Sequence, residues 1–274
     1  MILNTILLSR SRWAVALLGL AALTACGPAP APVGINDPAE ASNRRVHDFN
    51  RGVDRALLRP AARGYGTVLP QPVQRGIGNF AGNLDVPGDV VNNLLQARLG
   101  FAAQNTARFA VNSVLGIGGL FDPASAMGLP GKETDFGETM HVWGAPEGVY
   151  GEAPFFGPTT ERDLVGSVVD LALNPVRLLL PTPERSYATA AKLGSKLGER
   201  DRYRDTLDSV LYESADSYAQ TRLLYLQNRR FELGQTGGVE DDFIDPYATD
   251  ADAGFVDPYA ADLSADSFED PYAQ

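Results

Sequence analysis

A formal charge of −11 on 274 residues suggests an acidic protein, yet the excess sits at one end: residues 240–274 hold eleven Asp or Glu and no Lys or Arg, leaving 23 acidic against 23 basic side chains elsewhere. A body so balanced has no concentrated basic face, which excludes the electrostatic footprint of a nucleic-acid-binding protein. One cysteine in the whole chain excludes a metal site built from several thiolates.

In chain order, residues 1–25 carry the parts of an export signal: positive charge at Arg10 and Arg12, an apolar run over 13–23, and small residues up to Ala25. The run is too short to cross a hydrocarbon core of about 30 Å, for which roughly 20 apolar residues are needed. Leu23-Thr24-Ala25-Cys26 resembles the lipobox of bacterial lipoproteins, so Cys26 is the expected first residue of the mature chain and its point of lipid attachment. Its sulfur would then be a thioether with no thiol chemistry left, and two acyl chains already anchor stably at about 0.8 kcal/mol per buried CH₂. Gly27 in place of an Asp after that cysteine favours the outer membrane, and 26–36 reads as a lipidated, semi-extended Pro-rich tether.

Residues 37–235 are long enough for one domain with its own core. The 28 Gly and 19 Pro of the chain are spread through this body, which argues for short, interrupted helices. Asp37, Pro38 and Glu40 have the spacing of an N-cap, a first helical residue and a capping box. The helix they open spaces Val46, Phe49, Val53 and Leu57 as one apolar stripe, with Arg44, Arg51 and Arg55 opposite. Further helices are expected over 89–99 and 102–115. Another follows Thr160 and Asp163, runs through Leu164, Val165, Val168, Val169 and Ala172, and stops at Asn174-Pro175. Two more segments fall between 201 and 233, closed by Gly234 as a C-cap. No stretch alternates apolar and polar residues between hairpin turns, so little or no sheet is expected. On any single helix the stripe reads as core-facing; membrane contact is a reading of the set of helices together.

After 235 the composition changes. Phe-x-Asp-Pro-Tyr-Ala recurs at Phe243, Phe255 and Phe268 in an acidic segment, which reads as a disordered tail over 236–274 with three short docking sites or, equally, as a duplicated spacer.

Chemistry is sparse. With Cys26 acylated the body holds only His47 and His141, no H-E-x-x-H pair, and a G-S-x-x-G at 194–198 that is not the G-x-S-x-G of a nucleophile elbow. Glu138 and His141 read as packing and hydrogen-bonding residues, and Gly116-Ile117-Gly118-Gly119 follows a helix where a dinucleotide loop would need a strand. No catalytic residue, metal site or cofactor is expected, and the chain reads as no enzyme, because the body supplies no nucleophile-base arrangement.

The body resembles the maintenance-of-lipid-asymmetry lipoprotein family (MlaA, also called VacJ). The resemblance rests on ordered pieces: Asp37-Pro38-x-Glu40, Phe49-Asn50, Asn79-Phe80-x-Gly82-Asn83-Leu84, Arg108-Phe109-x-x-Asn112-Ser113, Gly116-x-Gly118-Gly119, Phe136-Gly137-x-Thr139, Trp143-Gly144, Gly157-Pro158 and Arg162-Asp163. It implies a mainly α fold, a ring of short amphipathic helices in the inner leaflet around a central amphipathic channel. It also implies a trimeric porin as partner, removal of stray phospholipid from the outer leaflet, and hand-over to a soluble periplasmic carrier. By position in the motif, 116–140 is the candidate gate, with Gly116, Gly118, Gly119, Leu120 and Phe121 at its start and Lys132, Glu133 and Asp135 further on. Phe49, Asn50, Asn79, Phe80 and Asn83 are candidate membrane or channel residues. The competing expectation is a lipid-anchored adaptor that organises porins or periplasmic proteins without carrying lipid. The long tether and the repeated tail, a possible dock for the carrier, fall outside the family pattern.

Overall fold

The structure, a computed structural model, describes residues 27–179 and 181–235; Cys26, the export signal and the repeats of the tail lie outside the described residues. Helix α1 (Glu40–Val53) runs through a π-helical turn (π1, Asp54–Leu58) into α2 (Arg59–Val68). Helix α3 (Gln71–Leu95) packs along α4 (Leu99–Val114), and short α5 (Pro123–Ala126) and α6 (Phe136–Val142) follow. Strands β1 (Tyr150–Ala153) and β2 (Gly157–Thr160) form an antiparallel hairpin in which Tyr150 faces Thr160 and Ala153 faces Gly157. Then come α7 (Glu161–Leu173), α8 (Pro175–Leu179), α9 (Thr182–Arg202), α10 (Arg204–Asp208), a second π-helical turn (π2, Ser209–Glu213) and α11 (Ser217–Glu232).

The mainly helical expectation holds, with the hairpin as the small sheet. Most helices are short, but α3 is 25 residues long and continues through Pro87, whose missing N–H leaves one carbonyl a turn back without its helical donor. Helix α9, 21 residues, occupies a stretch where no helix is expected above.

Local signals held where their partners are near. The Thr160 hydroxyl accepts from the Asp163 amide at 3.3 Å and opens α7, and Asn174-Pro175 ends it. Gly234, at φ +70°, closes α11 with Gln235 N–H to Arg230 O at 2.7 Å and Gly234 N–H to Phe231 O at 3.0 Å, the paired bonds of a Schellman cap. Asp37 corrects the expectation: α1 starts at Glu40, its N-cap position is Ala39, and no side chain caps it. Asp37 accepts instead from Asn43 Nδ2 at 2.9 Å, from the Tyr218 hydroxyl at 2.5 Å and from Arg222. Those tertiary donors hold it 3% exposed at the side chain, where a cap would need it beside its own helix.

The largest correction concerns which way the helices face. The α1 stripe exists, but it points outward: Phe49 is 47% and Leu57 62% exposed, while Asn43, His47 and Asp54 are buried. Helix α7 repeats the pattern, with Leu164, Val165 and Val168 exposed and Arg162, Asp163 and Gly166 buried. Among the described residues, nineteen buried side chains are polar or charged against ten that are hydrophobic, and four of those ten are only alanines of the helices α2 to α5. Polarity is therefore inverted relative to a water-soluble domain, in which a buried polar group or an exposed apolar patch is the exception.

Burying so much polarity is tolerated only when it is paired. Arg229 reaches Asp135 at 2.7 Å and Asp163 at 3.1 Å, Arg230 reaches Glu147 at 2.7 Å, and Asn92 Nδ2 reaches Asp170 at 2.9 Å. A small apolar cluster of Tyr150, Tyr218 and Leu226, flanked by Tyr225, joins the hairpin to α11.

Candidate functional site

A cavity of about 940 Å³ opens between α3, α4, the segment leading into α6, α9 and α11. Its α3 wall places Gly78, Asn79, Ala81, Gly82, Asn83, Asp85, Val86 and Asp89 toward the space, and the small residues among them keep it open. Spacings of three and four put these positions on one helix face. Helix α4 adds Asn105, Arg108 and Asn112, α9 adds Lys192, Ser195, Lys196 and Glu199, and α11 adds Arg229 and Glu232.

Two of the five motif residues expected at the membrane or channel reach this cavity, Asn79 and Asn83; Phe49, Asn50 and Phe80 do not. Asn50 instead locks the tip of the hairpin, donating to Ala153 O at 3.0 Å and accepting from Phe155 N–H at 2.8 Å. Phe155, at φ +67°, meets Phe49 edge to face at 5.2 Å, and neighbouring Phe156 is 90% exposed. Phe49 thus belongs to an outward aromatic tip.

The candidate gate loop is divided: its start lies behind the wall, whereas Asp122, Gly131, Glu133, Thr134, Asp135 and Glu138 further along it line the cavity. None of Gly116, Gly118, Gly119, Leu120 and Phe121 lines the cavity, but both motif asparagines hold the loop: Asn79 Nδ2 donates to Leu120 O at 3.3 Å, and Asn83 Nδ2 to Gly118 O at 3.3 Å and Ser113 Oγ at 3.2 Å. The continuation over 122–134 is held by α4, where Arg108 reaches Asp122 at 2.7 Å and Asn105 both donates to Lys132 O and accepts from Lys132 N–H. Burial raises the Asp122 carboxyl, but bonds from Ser125, Asn112 and Arg108 outweigh it and bring it to about 2. Two glycines of the loop differ in what they tolerate. A Cβ at Gly118, φ +72°, meets nothing within 4 Å, whereas at Gly119, φ +98°, it would lie 2.5 Å from Asn83 Cβ. Gly118→Ala should therefore cost about 1 kcal/mol of left-handed backbone strain. Gly119→Ala should cost about 3 kcal/mol, because overpacking adds to that strain. Thermal unfolding of the two variants in the same detergent measures the gap, and equal losses would mean that Asn83 yields freely.

One arrangement that the sequence did not disclose is a Ser-His-Glu series. Ser217 Oγ lies 3.1 Å from His47 Nε2, and His47 Nδ1 lies 3.2 Å from Glu152 Oε1. A nucleophile-base geometry is therefore present, against expectation. All three residues are buried and none lines the cavity, while Arg51 donates to Ser217 Oγ at 3.2 Å and Tyr150 to Glu152 at 2.8 Å. The series joins α1, β1 and α11 and so reads as a structural tie. Glu138 is engaged elsewhere, accepting from Arg98 at 2.5 Å and Thr134 at 2.7 Å, while burial and then the nearby Arg162 charge lower the His141 pKa and the Glu138 charge only partly offsets them. Ser195 donates to Glu199 at 3.4 Å. No group of three or more His, Cys, Asp or Glu among the described residues is placed to hold a metal.

Asp89, Lys192, Lys196, Glu199 and Arg229 are lining residues that sequence reasoning missed. Asp85 and Asp89, four apart beside the small residues of α3, were the available signal for an acidic wall. Burial pushes the Asp89 carboxyl up to about 7, a bond from the Thr134 amide opposes this, and Glu133, Asp85 and Asp170 add to the rise.

A helical body that turns apolar side chains outward around a polar cavity has the construction of a protein that works against lipid. No helix among the described residues is long and apolar enough to cross a membrane. The chain belongs to the MlaA lipoprotein family, whose model matches residues 35–232. Similar relatives are the intermembrane phospholipid transport system lipoprotein MlaA of Haemophilus influenzae, 32% identical over 82% of this chain and 91% of the relative, and that of Escherichia coli K12, 33% identical over 72% and 78%. An uncharacterized protein of Rickettsia felis is 35% identical over 69% of this chain and 74% of its own. A solved structure described as "Structural basis for maintenance of bacterial outer membrane lipid asymmetry" superposes with a TM-score of 0.61 at 30% identity, covering 72% of this chain and 98% of that one.

Proposed function

We propose that this lipoprotein removes mislocalised phospholipid from the outer leaflet of the outer membrane, leads it through the cavity and passes it to a soluble periplasmic carrier. The observation that supports this best is the inverted polarity: exposed Leu, Val and Phe on α1, α3, α4 and α7 surround a polar space of about 940 Å³. A phospholipid has two ends, and moving either through the wrong medium is costly. In this reading the headgroup follows the Asn, Lys and carboxylate walls while the acyl chains stay near hydrocarbon. The apolar exterior sits in the inner leaflet, Cys26 holds the body at the periplasmic face, a trimeric porin flanks it, and the loop over 116–140 gates the path. The relatives named for intermembrane phospholipid transport point the same way. No bond is made or broken, so the chain acts as a conduit and not an enzyme.

The test is phospholipid itself. The full lipidated protein, extracted in detergent, should carry phospholipid detectable by mass spectrometry and pass it to the carrier, and cells lacking the gene should accumulate phospholipid at the surface. A lipid-free protein and unchanged surface phospholipid would leave the adaptor reading in its place.

A further inference from the structure

The segment that leads from the lipidation position to the body is bonded to that body from its first residues. Ala29, buried, donates its N–H to His141 O at 3.0 Å, and Gln235 Nε2 donates to Ala29 O at 3.3 Å and Pro30 O at 3.1 Å. Further on, Arg230, itself held by Glu147 at 2.7 Å, donates to Gly34 O at 2.8 Å, and Asn36 O accepts from the Tyr150 amide at 2.7 Å. The segment is therefore a strap and not a free spacer. Its first described residue has a seat: Gly144, at φ +91°, follows α6 and Trp143, and a Cβ there would lie 3.0 Å from Gly27 O. A glycine at 144 lets the backbone of the strap come this close. Cys26 is the next residue, one Cα step of about 3.8 Å further.

A second observation lies at the same corner. A shallow furrow between α3, α6 and α7 has Val91, Leu95, Phe136 and Leu173 in its lining, with Asn92 and Asp170 among them. Trp143 adjoins it, meeting Phe136 edge to face at 5.6 Å and donating its indole N–H to Leu95 O at 3.2 Å. Leu95, Trp143 and Leu173 are exposed. The polar groups here are matched to one another, since Asp170 accepts from Asn92 Nδ2 and from the Phe136 amide, each at 2.9 Å. What the furrow leaves unmet is apolar surface, which hydrocarbon covers and a polar ligand does not. It is too shallow to enclose a molecule and suits a chain that lies along it.

We infer that the strap over 27–36 pins the acylated Cys26 at the Gly144 corner, and that an acyl chain of Cys26 lies along this furrow, past Trp143 and Phe136 toward Leu95 and Leu173. The occupant follows from where the described chain stops, one residue short of the lipid. An acyl chain spans about half of a hydrocarbon core of about 30 Å, roughly 15 Å, enough to pass both rings and reach Leu95. The inference rests on lipid attachment at Cys26, and it holds whether or not the body conducts phospholipid. Its consequence is positional. The anchor enters the leaflet at one set place on the body, and because none of the furrow's apolar residues lines the polar cavity, the protein's own acyl chain stays out of that space.

Intramolecular photocrosslinking tests it. Cells making the full chain are fed a fatty acid with a mid-chain diazirine, the lipoprotein is purified in unlabelled detergent and irradiated, and peptides joined to the N-terminal lipopeptide are identified by mass spectrometry. They should contain Leu95, Phe136, Trp143 or Leu173. Ten Gly and Ser residues inserted after Gly27 keep the lipobox and the body unchanged but let the anchor wander about 17 Å, and should cut the furrow crosslinks about fivefold. Crosslinks spread over the exposed faces of α1 and α4, no crosslink to the body at all, or an equal furrow yield with the insertion would overturn the inference. An N-terminal peptide of unacylated mass overturns it together with lipid attachment, while phospholipid carried by the same preparation reports separately on the conduit reading.

Discussion

Arg200→Ala is expected to destabilise the fold by about 3–5 kcal/mol, the usual cost of stripping one partner from a buried ion pair. Arg200 donates to both oxygens of Asp54, at 2.9 and 2.8 Å, and to Asp208 at 2.6 Å, and the three side chains are only 10 to 13% exposed. Asp208 keeps Arg59 at 2.6 Å and Arg63 at 3.1 Å. Among the described residues Asp54 keeps only the Tyr212 hydroxyl at 2.7 Å, so most of the loss falls on it. Burial raises its carboxyl, but bonds from Arg200 and then Tyr212 outweigh burial and hold it below the usual carboxylate range. A depressed folded-state carboxyl contributes stability at neutral pH and loses it as pH falls through the folded value. The penalty in the Ala variant should therefore shrink on acidification, when Asp54 protonates in both forms. Denaturant titration in detergent at two pH values reads both effects. A loss under about 1 kcal/mol at neutral pH would mean that Arg59 swings over to Asp54, the level of a solvent-screened pair. The two π-helical turns meet at this joint, Asp54 opening π1 and Tyr212 lying in π2, so the loss should loosen α9 and α10 from α1 together.

Asp89→Asn should do the opposite. With its folded value near 7 against the ordinary 3.8, Asp89 binds its proton more tightly in the folded protein. The sign follows: stability is highest below the unfolded value and declines as pH rises from about 4 through about 7. Removing the charge should stabilise the protein by about 2–3 kcal/mol at pH 8, after discount for the partial exposure of the site, and by close to nothing at pH 4. Melting temperatures at pH 4, 6 and 8 measure this, and a gain independent of pH would trace it to packing and not to the carboxyl.

What could be read in advance divides by distance. Thr160 and Gly234 were legible because the hydrogen bonds of their caps span only three to five residues. Asp37 was not, because Tyr218 and Arg222 compete for it from the far end of the chain. Periodicity located the stripes on α1 and α7 but not their direction, since an apolar face looks the same toward a core as toward lipid. The buried partners that decide direction, Asn43, His47 and Asp54 on α1, are polar residues that hydropathy discounts. The cavity was half legible: the motif asparagines of α3 reach it, but the walls from α9 and α11 depend on tertiary placement of a helix that carries Gly194 and Gly198 and few apolar residues. The Ser217, His47 and Glu152 series joins residues more than 100 positions apart and left no local trace.

The outward-facing stripes also bear on how the protein responds to temperature. Unfolding an ordinary domain wets apolar surface and raises heat capacity by about 12–15 cal/mol/K per residue, whereas wetting polar surface lowers it. Here the groups hidden on folding are largely Asn, Asp, Glu, Arg and His, and much of the Leu, Val and Phe surface is already outside. The two contributions partly cancel, so the stability curve is flatter than usual and its cold-side decline shallow. Resistance to heat is then set mainly by the enthalpy of paired polar groups, and a single unmatched charge in the interior weighs more than a truncated leucine.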